Sequence, residues 1–145
     1  MKHSKQKGNL GFSATLKELH KLGYNVFIEL GDNSKTDLIV ETDGKLIKFQ
    51  VKYATENNGI IVIPSKKCGP NGYRYNYTEN DIDMFSVYLP NHDKVIFVPS
   101  SLVCKNKTGL TIRYSKSKIN QTRNVHLIEE FENLNVILKN RLDIL

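Results

Sequence analysis

The sequence predicts an α/β domain, in which a mixed β-sheet is flanked by helices. Three observations lead to this fold class. Apolar residues recur at helical spacing in residues 12–22, two runs rich in β-branched residues flank Asp43-Gly44, and residues 134–145 are amphipathic. A helix, then strands, then a helix is the element order of such a domain. We expect a single domain over residues 1–145, with a basic N-terminal arm at residues 1–7.

The first predicted helix is the most regular segment of the chain. Phe12, Leu16, Leu19 and Leu22 recur on one face, and Gly23 is suited to end the helix. Residues 24–30 alternate in a way that favours a strand. The first helix and the first strand are therefore expected to be consecutive in the chain.

A β-hairpin is predicted around Asp43-Gly44, because this dipeptide is the strongest short signal for a two-residue hairpin loop. With that loop, Leu38 opposes Phe49 and Asp37 opposes Gln50, since the turn fixes the register. One face of the hairpin then carries only apolar side chains: Leu38, Val40, Ile47, Phe49 and Val51. The other face brings a carboxylate, an amide and an ammonium together, from Asp37, Gln50 and Lys52.

The remaining segments follow from shorter patterns. Residues 59–64 and 109–114 predict strands, and residues 84–89 and 95–98 predict a second hairpin. A helix start at Thr78 and a helix over residues 124–131 are also expected. Residues 65–77 predict a loop or an excursion from the sheet.

Positive charge is unevenly distributed. The chain has 21 Lys+Arg against 15 Asp+Glu, and residues 57–78 and 94–128 contain no acidic residue. Basic and aromatic side chains in these stretches are candidate contacts to a nucleic-acid backbone or to exposed bases. The alternative interpretation, a solvated basic surface with ordinary cross-strand tyrosines, stays open. The candidate DNA contacts are Lys66, Lys67, Tyr73, Arg74, Tyr75, Lys105, Lys107, Arg113, Lys116, Lys118 and Arg123.

No apolar run is long enough for a membrane span, and the N-terminus leads into no apolar signal region. Two cysteines, Cys68 and Cys104, do not make a disulfide framework. We therefore expect a soluble, cytoplasmic protein without a membrane partner.

The polar face of the predicted hairpin is suited to a hard cation beside a phosphate. Mg²⁺ prefers oxygen ligands and keeps several waters, so Asp37, the Gln50 side-chain oxygen and the Val51 carbonyl are candidate ligands. Lys52 is the candidate to hold an attacking water and to offset charge in the transition state. The alternative from spacing alone is a solvent-facing hairpin with a cross-strand Asp37–Lys52 pair.

Asp37 followed, after a hairpin, by Gln50-Val51-Lys52 resembles the PD-(D/E)XK nuclease signature in its Gln-containing form. More specifically, the chain resembles the group I intron homing endonucleases of that superfamily. The ordered segments that support this resemblance are 7–11, 22–24, 31–33, 36–39, 49–54 and 81–88 running on to 98–99.

The resemblance implies a restriction-endonuclease-like core and Mg²⁺-dependent, sequence-specific hydrolysis of phosphodiesters in duplex DNA. It also implies assembly as a homodimer or homotetramer. Archaeal Holliday-junction resolvases share this core and are an alternative. In proteins of this group the glycine matching Gly11 is usually followed by a glutamate of the metal site, whereas Phe12 stands here. Glu29 is a candidate substitute, and a weakened or inactive DNA-binding protein of the same fold is a further alternative.

Overall fold

The computed structural model describes residues 3–115 and 125–142. Its elements in chain order are α1 (Ser4–Lys21), β1 (Asn25–Ile28), β2 (Leu38–Thr42), β3 (Lys45–Tyr53), β4 (Ile60–Ile63), β5 (Lys66–Cys68), a 3₁₀ helix (Pro70–Gly72), β6 (Arg74–Asn76), β7 (Met84–Leu89), β8 (Lys94–Pro99), α2 (Ser100–Cys104), β9 (Leu110–Arg113), β10 (His126–Leu127), a 3₁₀ helix (Ile128–Phe131) and α3 (Leu134–Leu142).

A five-stranded mixed sheet with the order β1-β2-β3-β7-β8 forms the centre of the fold. β3 and β7 are parallel, whereas the other neighbouring pairs in this sheet are antiparallel. A three-stranded sheet has the order β10-β9-β4, and β5 pairs with β6. The predicted α/β class with a mixed sheet and helices is therefore confirmed.

Two hydrophobic clusters lie on opposite faces of the central sheet, because side chains alternate along each strand. On one face, α1 and α3 contribute to a cluster with Leu19, Phe49 and Leu138. On the other face, β4 and β9 contribute to a cluster with Ile61, Phe85 and Ile112. The apolar face of β3 is thus covered by α1 and α3, and this packing fixes the position of the strand.

Helix α1 packs closely on β3 at Gly11. A Cβ atom at this position would lie 3.4 Å from the Lys52 carbonyl oxygen and 3.6 Å from Val51 Cγ1. The absent side chain therefore allows the helix to approach the backbone of the strand. One turn further on, Thr15 hydrogen-bonds to Ser86 of β7 in the interior.

The helix is longer than the apolar periodicity predicts. It begins at Ser4, where the His3 amide donates to Gln6 Oε1 at 3.1 Å, so the expected arm is wrong for residues 4–7. This first turn is polar, and it therefore gives no periodic signal. The predicted stop at Gly23 is confirmed, because this residue has a φ of 83° after the last helical turn. Residues 1 and 2 lie outside the described residues.

Two predicted helices are wrong. Thr78 starts no helix, because its amide and hydroxyl donate to Asp81 Oδ2 and close a local turn instead. Within residues 124–131, strand β10 and a 3₁₀ helix replace the predicted helix, and Ile128 and Phe131 are buried. Residue 124 lies outside the described part of the chain. No helix in the described ranges is long and apolar enough to cross a membrane.

Candidate active site

The β2–β3 hairpin has the register that its turn predicts. Asp43 and Gly44 have φ values of 49° and 71°, as a tight two-residue hairpin loop requires. Leu38 pairs with Phe49 and Val40 with Ile47. The Asp37 amide donates to the Phe49 carbonyl at 2.8 Å, so the ladder continues beyond the first residue of β2. The apolar face of this hairpin lies against α1, and the polar side chains face the other way.

Asp37 and Gln50 are in direct contact at the end of this hairpin. Gln50 Nε2 donates to Asp37 Oδ2 at 2.6 Å, and the Val51 amide donates to the same oxygen at 2.7 Å. Gln50 Nε2 also lies 3.3 Å from the Val51 carbonyl oxygen. The Gln50 amide nitrogen thereby lies between the Asp37 carboxylate and the Val51 carbonyl oxygen.

The Asp37 carboxyl is mostly withdrawn from water, and this burial raises its pKa. The Val51 amide and the positive charges of Lys67 and Lys52 act in the opposite direction, whereas Asp32 adds to the rise. Burial disfavours the charged form of this carboxylate, and a cation bound next to it would offset that cost.

Lys52 projects toward the hydroxyl of Tyr77. Its Nζ donates to Tyr77 Oη at 2.7 Å and lies 4.6 Å from the centre of the same ring. Burial lowers the pKa of Lys52 to about 8, assisted by Lys67 and opposed by Asp37. None of the ion pairs among the described residues joins Lys52 to Asp37. The cross-strand Asp37–Lys52 pair of the alternative interpretation therefore does not form.

The donor set fits a hard cation. Gln50 Oε1 is buried, yet it accepts no hydrogen bond from the described residues. Buried polar atoms normally have a partner, and a cation supplies one to an amide oxygen. Among the described residues, no group of three His, Cys, Asp or Glu side chains could hold a metal ion. A metal here would therefore rely on one carboxylate, a backbone carbonyl and the Gln50 amide oxygen, which would take the place of Nε2 beside Asp37, with water completing its shell.

Helix α1 adds no acidic side chain at the position where the resembling nucleases have one. Phe12 is half-buried and packs against the cluster that contains Leu19 and Phe49. Glu29, the candidate substitute, accepts hydrogen bonds from the hydroxyl and the amide of Ser34, at 3.0 and 3.3 Å. The Glu29 carboxylate is thus engaged by its own loop, although both Glu29 and Asp37 line a shallow groove.

Most candidate DNA contacts gather beside Tyr77. In the β5–β6 hairpin, Lys67 pairs with Tyr75 and Cys68 pairs with Arg74. The tip of this hairpin carries Tyr73, with 72% of its surface exposed.

An open groove, which we call the basic groove, is lined by Lys66, Arg74 and Lys107. Lys66, Lys105, Lys107 and Tyr77 line a neighbouring depression. The basic groove and the Lys52–Tyr77 contact are therefore adjacent parts of one surface.

The other candidates are less closely placed or lie beyond the description. Arg113 is at the end of β9 and is half-buried. Lys116, Lys118 and Arg123 lie outside the described residues. No sequence pattern assigns Tyr77 a role, although the alternation of Tyr73, Tyr75 and Tyr77 indicates a strand. Only the fold reveals that the last of these tyrosines is buried, at 2% exposure, against Lys52.

Comparisons with known proteins agree with this fold. A family model described as PD-(D/E)XK endonuclease matches residues 2–134. Protein 5.3 of Escherichia phage T7 is 34% identical over 96 residues, which cover 63% of this chain and 75% of that protein. The structure of a bacterial homing endonuclease, I-Ssp6803I, matches with a TM-score of 0.75 and 23% identity, over 98% of this chain and 97% of that one. At that identity, the structural likeness shows the fold.

Proposed function

This chain belongs to the PD-(D/E)XK endonuclease family, and we propose that it is a Mg²⁺-dependent, sequence-specific endonuclease that hydrolyses phosphodiesters of duplex DNA. The observation that carries the proposal is the contact of Asp37 with Gln50 and the Val51 amide, beside the half-buried Lys52. The likeness to a protein described as a homing endonuclease supports a homing-endonuclease-like activity.

In this proposal, Asp37, Gln50 Oε1 and the Val51 carbonyl would hold Mg²⁺, with the Gln50 amide turned so that its oxygen faces Asp37. When bound, the ion supplies Lewis-acid stabilisation of the negative charge that grows on the phosphodiester. The protein's own contribution is to fix its ligands beforehand. The Val51 amide orients the Asp37 carboxylate, and the β2–β3 register places Gln50 against it.

Lys52 acts on the water and on the transition state. Its ammonium group holds the attacking water by a hydrogen bond and offsets the charge that develops on the phosphate oxygens. Since the side chain is half-buried beside Asp37 and Lys67, its charge is less screened than at an open surface.

The basic groove would hold the DNA backbone close to this site. Lys66, Arg74 and Lys107 line it, and Lys67, Lys105 and the exposed Tyr73 lie around it. Cations position phosphates without reading sequence, whereas aromatic and polar side chains at the hairpin tip can approach bases. One chain offers one such site, so a double-strand cut requires two chains, and we propose a homodimer or homotetramer.

A non-catalytic DNA-binding protein of the same fold is the second candidate function. It is favoured by Phe12, which packs into an apolar cluster at the helix position where a metal-binding glutamate is expected. Under this alternative, DNA binding depends on salt but requires no divalent ion.

The decisive experiment is cleavage of a supercoiled plasmid, a randomised duplex library and a four-way junction, each with Mg²⁺ and with Mn²⁺. We expect duplex cleavage at sequences that share a motif, and about a 10²-fold or greater loss for Lys52→Ala. Lys17→Ala, which removes an exposed lysine of α1, serves as the matched control. Preference for the four-way junction would instead indicate a resolvase.

A second comparison separates the enzyme from the binding protein. If the wild type cleaves none of these substrates and binds duplex DNA equally with EDTA, the catalytic proposal is wrong. Cleavage that appears only in Phe12→Glu would identify the wild type as an inactivated nuclease. Asp37→Asn is expected to abolish metal-dependent cleavage but to leave EDTA-insensitive DNA binding intact.

A further inference from the structure

Lys52 has one hydrogen-bond acceptor among the described residues, and it is the hydroxyl of Tyr77. The Nζ–Oη distance is 2.7 Å, and the ammonium lies 4.6 Å from the centre of the ring. The second distance is within the range of a cation–π attraction. Both parts of the tyrosine therefore act on the same ammonium group.

Tyr77 itself is held firmly. Its side chain is 2% exposed, and its ring packs edge-on against Phe85 with centroids 5.3 Å apart. Its amide donates to the Ser65 carbonyl at 2.9 Å, and the Ser65 hydroxyl donates to the Lys107 carbonyl at 3.0 Å. Phe85 in turn pairs with Gln50 across β3 and β7. The hydroxyl of Tyr77 is thus a fixed point with respect to the strand that carries Gln50 and Lys52.

A lysine at this position needs such a fixed point. Its ammonium group stands at the end of a flexible four-carbon chain, and many rotamers are open to it. Catalytic groups must be held close to their productive geometry, and loss of that order lowers the rate of the chemical step. Under the proposed function, substrate affinity depends on other groups, in particular the cations of the basic groove.

We propose that Tyr77 is a positioning residue, whose buried hydroxyl holds the Lys52 ammonium group in place for phosphodiester hydrolysis. The inference rests on the proposed function, because it concerns the same site. Tyr77 touches neither the substrate nor the metal in this role, and it acts through Lys52. Its contribution is therefore expected in kcat and not in KM.

The test compares Tyr77→Phe with Tyr114→Phe. The first variant keeps the ring against Phe85 but removes the acceptor of Lys52. The second removes another buried hydroxyl, which has no hydrogen-bond partner among the described residues. We expect kcat for cleavage to fall about ten-fold in Tyr77→Phe, as for loss of one hydrogen bond to a charged group, with KM unchanged. Tyr114→Phe should cleave as the wild type does.

A spectroscopic measurement follows the contact without relying on activity. In protein labelled with ¹³C-lysine, the Lys52 Cε resonance is identified by its loss in Lys52→Met. We expect Tyr77→Phe to shift this resonance, and Tyr114→Phe to leave it in place. Thermal melts of both variants establish that the fold is kept.

The outcomes separate the two proposals. If the wild type cleaves DNA and Tyr77→Phe has an unchanged kcat, the positioning role is overturned and the nuclease proposal stands. If no DNA is cleaved but the resonance shifts, the contact exists without a catalytic role, so both proposals fail as stated. A rise in KM with unchanged kcat would assign Tyr77 to DNA binding and would also overturn the inference.

Discussion

The two hairpins that form the candidate site differ in how they are supported. In the β2–β3 hairpin the strands have five and nine residues and lie inside the five-stranded sheet, where Val40 and Phe49 are fully buried. In the β5–β6 hairpin each strand has three residues, the pair forms a sheet of its own, and Tyr73 at the tip is largely exposed.

This difference matches the proposed division of roles. Asp37, Gln50 and Lys52 come from the hairpin that the core fixes, and chemistry requires such precision. The cations proposed to hold DNA come from the short hairpin, which has few buried side chains and can adapt to a ligand. Tyr77 directly follows β6 and is buried, so it is where the adaptable hairpin meets the rigid one.

The largest expected effect is on the stability of the two hairpins. Phe49→Ala removes a fully buried ring that packs edge-on against Phe97, and it should lower the free energy of unfolding by about 3–5 kcal/mol. Tyr73→Ala, at the exposed tip, should change it by less than about 0.5 kcal/mol. Chemical denaturation of both variants measures this. Comparable losses would show that the short hairpin is also part of the cooperative core.

The next effect concerns the packing of α1 against the apolar face of the β2–β3 hairpin. Gly11→Leu places a side chain where even a Cβ atom is 3.4 Å from the Lys52 carbonyl, and it should cost about 1–3 kcal/mol. It should also reduce cleavage, because β3 must shift at Lys52. Gly8→Leu is the control, since nothing lies within 4 Å of a Cβ atom there. Equal stability of both leucine variants would contradict this close packing.

The parts of the fold that could be predicted are those with a local physical cause. The Asp43-Gly44 turn requires positive φ at two residues, and it fixes the register that brings Asp37 to Gln50. The second hairpin, β7–β8, follows from two apolar runs around a polar turn. Neither result depends on distant residues, so a sequence pattern is sufficient.

The parts that could not be predicted depend on long-range packing or on polar hydrogen bonds. Tyr77 meets Lys52 across 25 positions of the chain. Thr78 resembles a helix cap, but its hydroxyl donates to Asp81 within a turn. The chain then enters β7 instead of a helix. Asp83, whose amide donates to the Lys48 carbonyl, already continues the pairing with β3. Local propensity does not include these competing partners.

A smaller effect concerns the basic groove. The triple variant Lys66→Ala, Arg74→Ala and Lys107→Ala should weaken DNA binding and reduce the salt slope, by about one unit for each phosphate that the protein no longer neutralises. Its stability should remain close to that of the wild type, because these side chains line an open groove. Binding isotherms at several salt concentrations measure the slope. An unchanged slope would place the DNA on another surface.

The smallest effect concerns Lys35, which lies just before β2 and approaches the β5–β6 hairpin at Tyr75. Its ammonium group lies 5.0 Å from the centre of the Tyr75 ring and 3.0 Å from Asp81 Oδ2. The hydrogen bond from Lys35 is the main cause that lowers the pKa of Asp81, with further help from Thr78. Since this pKa is lower in the folded chain, the stabilisation is present above the carboxyl's ordinary pKa and is lost as pH falls through the lowered value.

Lys35→Met should therefore reduce the free energy of unfolding by less than about 1 kcal/mol at neutral pH, since the pair is partly exposed. The difference from the wild type should disappear in strong acid, where Asp81 is protonated in both states. Lys21→Met is a suitable control, because it breaks a more exposed ion pair with Glu18 within α1. Denaturation curves at a series of pH values measure both variants. A difference that persists in acid would mean that Lys35 stabilises the junction through the Tyr75 ring, and that the two hairpins are joined by an aromatic contact that does not depend on the carboxylate.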